Sequence, residues 1–478
     1  MEIKKYYLNL PNFKPSNHQF EPVVSPFDRK PVGEVEIASP ESLLVALETA
    51  RHYQDTAWKK TPAWKRAEIL RKAAVKVRER GEELAFLIAS EGGKPLKDAK
   101  VGAARAAVTL EQCADAALKI EGKEVGMQRA PGTENRIAFT IREPIGVVLA
   151  ISAFNHPLNL PAHQAGSAIA AGNCCILKPA SSTPLCSIEL RNILIESGLP
   201  EEVLQVVVTP SRNANVLVQS DKIDFLGFIG SGEIGWKIRR QIADGTRMSA
   251  EHGGTAASIV LNDVDLDKAI PLILRASYYH AGQVCVSTQR LYVQKEIEPE
   301  FTRKLQEGAS KLVCGDARNI ETDIGALIEP GEVTRVHQWV TDAVNEGAEL
   351  LMGGERLSET LYSTTIIRGA SEDSKVIKEE IFGPVVIVQP VSSLEEAIAK
   401  VNTSDHTFQS SIFTQDIDKA FHAARSVKAS AYMINDHTAF RVDWMPFGGH
   451  KKAGLSLGGV EHEVQDMTQE KLIVLNLK

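Results

Sequence analysis

Two residues of this chain are of types that together can do chemistry on a carbonyl. Cys285 lies in Gly282-Gln283-Val284-Cys285-Val286, and Glu251, 34 residues earlier, lies in Ala250-Glu251-His252-Gly253-Gly254. A thiol can attack a carbonyl carbon, and a carboxylate beside it can activate the water that later releases the product. Neither residue carries that reading alone. Most free cysteines are inert, buried and apolar in character, which is how Cys113, Cys174, Cys175, Cys186 and Cys314 are read, and most glutamates are solvated. A third feature is Gly230-Ser231-Gly232-Glu233-Ile234-Gly235, placed after a short apolar run and before a helical pattern. Glycines there let an anion approach the backbone, and free N–H groups at a helix start face it. Glycines at strand–helix turns are common, so this motif too is weak by itself.

The elements that must position these residues show in the apolar pattern. At 478 residues the chain exceeds one core and implies two or more domains. Helical periodicity covers 64–80, 82–90 and a longer stretch near 103–118. From Gly146 onward, short apolar runs (147–151, 175–177, 203–208, 225–228) alternate with helical stretches, the last reaching Ile242. That alternation predicts a parallel, doubly wound sheet. A second alternating region runs from 258 to about 430, with strands near 290–293 and 385–388. Alternation at 137–141 predicts a half-exposed strand, and 472–475 reads as another. Neither has an evident home in the two domains, so both are expected to pair across a subunit boundary. The fold class is therefore α/β.

Composition excludes several function classes. An apolar share of 43% and a charged share of 24% are those of an ordinary globular protein, and the net charge of −7 gives no reason to expect nucleic acid or an anionic membrane as partner. The start of the chain lacks the apolar stretch of a secretory signal, and no run approaches the roughly 20 apolar residues of a membrane span. Six cysteines without ligand spacing suggest neither a disulfide framework nor a metal site. A reducing cytoplasm is the expected location.

Seven ordered motifs then show that the chain resembles the aldehyde dehydrogenase superfamily over essentially its whole length: Phe154-Asn155-His156-Pro157-Leu158, Leu177-Lys178-Pro179-Ala180-Ser181-Ser182-Thr183-Pro184, Phe228-Ile229-Gly230-Ser231, Glu251-His252-Gly253-Gly254, Gly282-Gln283-Val284-Cys285, Glu379-Glu380-Ile381-Phe382-Gly383-Pro384 and Pro446-Phe447-Gly448-Gly449. The resemblance implies a Rossmann-like cofactor domain (1–123 with 144–252), a catalytic domain (253–466) and a small β oligomerisation arm (124–143 with 467–478), assembled as a homodimer or homotetramer. It implies Cys285 as nucleophile, Glu251 as base for the hydrolytic water, and Asn155 as side-chain donor to the oxyanion together with the Cys285 N–H. For the dinucleotide it implies Lys178 at the adenosine ribose, Gly230, Ser231 and Gly235 at the pyrophosphate turn, Glu380 at the nicotinamide ribose and Phe382 by the ring. Arg290 reads as a scaffold residue. His252, where most relatives carry an apolar residue, has no evident physical reason in the sequence.

Two departures bear on specificity. Ser181 stands where members preferring NAD often carry a glutamate that would repel a 2′-phosphate, so NADP is expected to be accepted as well as NAD. Where relatives acting on apolar aldehydes line the pocket with apolar side chains, this chain has Arg105, His156, His163 and Arg441. Two guanidinium groups and an imidazole around one pocket suit an anionic aldehyde. The alternative is a scaffold ion pair of either arginine with Asp443 or another carboxylate. The pattern is most similar to the branch oxidising phosphonoacetaldehyde, with sulfonate-bearing aldehydes and succinate semialdehyde offering comparable head groups. Two further readings stand beside hydrolytic oxidation: release of the thioester to coenzyme A, against which Glu251 speaks, and a catalytically silent binding or structural protein, against which the joint presence of Cys285, Glu251, Asn155, Lys178 and Glu380 speaks.

Overall fold

The computed structural model describes residues 3–15 and 17–477. Two large sheets organise it. The first has the strand order Gly454–Leu455, Arg247–Glu251, Phe225–Ile229, Val147–Ile151, Cys174–Lys178, Leu204–Val206, parallel except for the short edge strand Gly454–Leu455. The second has the order Glu349–Met352, Thr365–Arg368, Val385–Val391, Thr288–Gln294, Ala256–Val260, Gln409–Phe413, Ala431–Ile434, parallel except at the Glu349–Met352 edge. Central strands such as Val147–Ile151 and Ala256–Val260 are apolar on both faces because helices cover both sides.

The helix expected near 103–118 begins seven residues earlier, at Leu96, and runs to Leu118. Gly102 and the charged residues at 97, 98 and 100 hide its first two turns from a periodicity reading. Buried Ala99, Ala103, Ala106, Ala107 and Ala114 keep that helix close to helices Ala63–Glu79 and Asn159–Ala171. Helix Asn159–Ala171 ends at Gly172, whose φ of +88° lets the chain reverse into strand Cys174–Lys178. The helix expected to reach Ile242 stops at Arg239, because the chain must turn back through Gly245 (φ +88°) into Arg247–Glu251.

The two strands without a home pair with each other. Thr468–Asn476 runs antiparallel to Arg136–Pro144 over nine residues, from Thr468 opposite Pro144 to Asn476 opposite Arg136. The two strands thus find each other within one chain, and Thr468–Asn476 stands at the edge of the three-stranded sheet. Glu124–Val125 adds a third strand, and Ile137, Leu472, Val474 and Leu475 stay exposed on this arm. Lys478, the last residue assigned to it, lies outside the described residues. Among the described residues no helix is long and apolar enough to cross a membrane.

Candidate active site

The sheet topology brings the motifs together. Asn155, Lys178, Gly230 and Glu251 stand at or just past the carboxyl ends of four adjacent parallel strands of the first sheet, where such folds place ligands. Gly253, Cys285 and Glu380 precede the amino ends of three adjacent strands of the second sheet. The two sets of ends face one cavity of about 910 Å³, lined by Asn155, Glu251, Cys285, Glu380 and Arg441 among others.

Around the thiol the backbone is constrained. His280 and Ala281 adopt left-handed φ values of 50° and 55°, and Gly282 follows at +73°. Non-glycine residues hold that conformation at a cost of about 1–2 kcal/mol each, so packing has to impose it. A Cβ on Gly282 would fall 2.1 Å from the carbonyl oxygen of Gly383, which shows how closely the two loops meet. The Asn155 amide donates to the Gln283 carbonyl at 2.9 Å, leaving its second N–H free for the cavity, and Gln283 Oε1 accepts from Ile328 N at 3.0 Å. Burial, reinforced by Glu251 and Glu380, pushes the Cys285 thiol up, so at rest it carries its proton.

Glu251 ends its strand with the carboxylate against Gly458, where a Cβ would lie 1.9 Å from Oε1. Burial pushes Glu251 up to about 7, opposed mainly by the Arg441 guanidinium. A carboxylate poised near neutrality can take and return protons at working pH.

The far part of the cavity fits a dinucleotide. Helix Gly232–Arg239 opens onto it behind Gly230 and Ser231, and the Ser231 side chain caps no N–H, which leaves the first-turn N–H groups free for an anion. His252 now has a physical reason. Its ring lies under this turn, where a Cβ on Gly235 would come within 1.9 Å of Cε1, and Nδ1 is 3.2 Å from the Gly230 carbonyl. Its buried Nε2 has no partner. Lys178 is buried just behind the cavity wall formed by Ala180 and Ser181, and among the described residues its ammonium donates only to the Pro179 carbonyl, at 3.5 Å; burial lowers its pKa. Glu380 accepts from Gly254 N–H at 3.1 Å and sits where any side chain on Gly253 would collide; burial pushes it up to about 8. Phe382 meets Phe154 edge to face at 5.8 Å, and Ser181 is exposed at the rim. Among the described residues no group of three or more His, Cys, Asp or Glu could hold a metal ion.

The polar end of the pocket departs from expectation. Arg105 donates from Nε at 3.1 Å and Nη2 at 2.7 Å to both oxygens of Asp443, which is the scaffold ion pair set against its anion role. His163 places Nε2 3.0 Å from Asp443 Oδ1 and Nδ1 3.6 Å from Glu463 Oε1. Burial lowers the His163 pKa, but these two carboxylates outweigh it and raise it. Burial also opposes ionisation of Asp443, yet His163 and Arg105 hold it well below the usual carboxylate range. Arg105, His163, Asp443 and Glu463 thus balance two positive charges against two negative ones. At His156, burial first, then Lys94, Arg105 and His280, hold the pKa well below that of free imidazole, so it enters the pocket neutral. Arg441 remains. Its guanidinium carbon lies 3.6 Å from the centre of the Phe447 ring, its buried Nη1 lacks a hydrogen-bond partner, and no carboxylate among the described residues comes within ion-pair distance. Arg290, read as scaffold, is fully buried and donates to the Thr255 carbonyl at 2.6 and 3.1 Å.

Sequence reasoning missed Glu463, Gln283 and Gly458. Glu463 sits on a short helix near the C-terminus with no motif around it, so nothing local announced that it would complete a network with His163. Gly458 gave no signal beyond being a glycine near Gly448-Gly449.

A model of the aldehyde dehydrogenase family matches residues 13–473. The chain is 38% identical to a 3-sulfolactaldehyde dehydrogenase of Priestia aryabhattai, over all of this chain and 99% of that protein. Among solved structures it resembles aldehyde dehydrogenase 21 of Physcomitrella patens in complex with the reaction product succinate, at 31% identity and a TM-score of 0.96, covering 100% and 99% of the two chains. It also resembles a glyceraldehyde-3-phosphate dehydrogenase of Methanocaldococcus jannaschii complexed with NADP, at 32% identity and a TM-score of 0.92, covering 97% and 100%. The chain belongs to the aldehyde dehydrogenase family.

Proposed function

We propose that this enzyme oxidises a short anionic aldehyde to the carboxylic acid, with NAD or NADP as hydride acceptor and water as the acyl acceptor. The observation that carries the anionic part is Arg441, a half-buried residue in the cavity that holds Cys285, whose buried Nη1 has no hydrogen-bond partner and which forms no ion pair with a carboxylate among the described residues. Buried charge without a partner is costly, and a ligand's sulfonate, phosphonate or carboxylate would relieve it. Two of the proteins reported above are named for 3-sulfolactaldehyde and glyceraldehyde 3-phosphate, and a third is in complex with the reaction product succinate, each of which bears an anion. Phosphonoacetaldehyde, the branch expected from the motifs, falls within the same class.

Cys285 attacks the aldehyde carbon as its thiol proton is released to water, which leaves Glu251 ionised for the later hydrolytic step. The free N–H of Asn155 and the Cys285 backbone N–H hold the resulting oxyanion. The bound nicotinamide supplies the hydride acceptor. With a thioester left on Cys285, Glu251 takes a proton from water, hydroxide attacks the acyl carbon, and the thiolate leaves and is reprotonated. Lys178 and Glu380 hold the two riboses, and the Gly230–Gly235 turn, backed by His252, holds the pyrophosphate. Ser181 places no negative charge against a 2′-phosphate, so NADP is used as well as NAD; turnover with NAD alone would refute this. The arm carrying Ile137, Leu472 and Val474 offers its apolar face to a second copy of the chain, giving a homodimer or homotetramer.

Arg441→Ala tests the reading. KM for an anionic aldehyde rises by about 100-fold or more, the value of a lost charge-assisted pair, while KM for propanal changes little. Equal changes for both would remove the head-group role.

A further inference from the structure

We propose that His156 recognises a hydroxyl group next to the aldehyde carbon, so that the preferred substrate carries both an anionic head group and an α-hydroxyl. This rests on the anionic-aldehyde reading above and narrows it. His156 directly follows Asn155, whose amide is fixed on Gln283, two residues before the nucleophile. Its ring packs against the segment leading to Cys285, 6.2 Å from Tyr279 and 6.5 Å from His280 between ring centres, and it lines the same cavity as Cys285 and Arg441. Among the described residues no hydrogen bond satisfies either ring nitrogen.

The chemistry of that position selects the ligand. Lys94, Arg105 and His280 around it, together with burial, keep the ring uncharged. A neutral imidazole presents one donor and one acceptor. A hydroxyl can serve whichever ring nitrogen faces the cavity, donating to the acceptor or accepting from the N–H, whereas an anionic oxygen can only accept. The cationic neighbours already serve other partners: Arg105 is held by Asp443, and the Lys94 ammonium lies 4.7 Å over the Tyr279 ring. The cavity therefore offers two separate recognitions, a permanent charge at Arg441 and a neutral polar contact at His156.

The test compares kcat/KM for four aldehydes: 2-hydroxy-3-sulfopropanal, 3-sulfopropanal, 2-hydroxypropanal and propanal. In the wild type the hydroxylated member of each pair is preferred by at least about tenfold, the value of one well-made hydrogen bond. His156→Phe keeps the ring volume and removes that preference within each pair while the preference for sulfonate survives. His156→Asn, which keeps a donor and an acceptor, retains part of it. A wild type indifferent to the hydroxyl overturns the proposal, as does a His156→Phe enzyme whose four values fall together. Should His156→Phe not fold, the wild-type preference and the Asn variant decide the matter. Failure of the anionic reading is separable, because it appears as no preference between the sulfonated and unsulfonated pairs.

Discussion

The two ends of the active-site cavity are built differently. At the Cys285 end, position is set by backbone: glycines at 253, 282 and 458 clear space for neighbouring carboxylates and carbonyls, and the Asn155 amide is tied to a main-chain oxygen. At the Arg441 end, position is set by side-chain charges that cancel in pairs, Arg105 and His163 against Asp443 and Glu463, until one guanidinium is left over. The first kind of construction fixes a reaction and tolerates little change. The second fixes a preference, and altering one member redistributes charge over the rest.

The largest expected effect lies at the backbone-built end. Cys285→Ser lowers kcat by about 10⁴-fold or more, since a hydroxyl without an adjacent strong base is a poor nucleophile. Steady-state hydride transfer, followed at 340 nm, measures it, and turnover near wild type would end the covalent reading. Glu251→Gln comes next, with kcat down about 10²–10⁴-fold. Because only deacylation is crippled, one hydride per active site is still released in a burst, and intact mass shows the acyl group held on the enzyme. A missing burst would instead place Glu251 before hydride transfer.

At the charge-built end the effect is on stability. Asp443→Asn strands Arg105 and His163 and destabilises the fold by about 2–3 kcal/mol, below the full value for a wholly buried pair because Arg105 is partly exposed. A second change, Arg105→Met, restores part of the loss by removing the stranded charge. Denaturation midpoints of the single and double variants check this, and simple addition of two losses would mean that the pair is not the relevant unit.

The same contrast explains what could be read from the sequence. Glycine-marked turns and short apolar runs are local signals, so the doubly wound sheets and the Gly230–Gly235 turn are legible from them, while the roles of Asn155, Glu251 and Cys285 are legible only through the motifs shared with the aldehyde dehydrogenase superfamily. Charge pairing is not local. The pair of Arg105 with Asp443, 338 residues away, stands in the sequence only as one alternative, and nothing there shows that His163 meets both Asp443 and Glu463. His156 and Arg441 stand side by side in the sequence reading as polar groups of one pocket, and only their neighbours separate a neutral ring from a charged guanidinium. The pairing within the arm is hidden for a related reason: its two strands are far apart in the chain, and only tertiary structure shows that they pair with each other.

The pH profile joins the two ends. Glu251 must be ionised to activate water, and burial raises it from the ordinary carboxylate value to about 7. The rate of deacylation therefore rises with pH: at pH 6 about a tenth of the groups are ionised, so the rate is about a tenth of the plateau above pH 8. The strongest influence holding Glu251 down against burial is the positive charge of Arg441. Removing it in Arg441→Ala leaves burial less opposed, so the midpoint of the kcat profile moves to higher pH even with a neutral aldehyde that has no head group to lose. A substrate anion seated on Arg441 neutralises the same charge, so in the wild type the kcat midpoint for an anionic aldehyde lies above that for propanal. In Arg441→Ala the two midpoints converge. A profile unmoved by both the variant and the substrate charge would show that Arg441 and Glu251 do not sense one another.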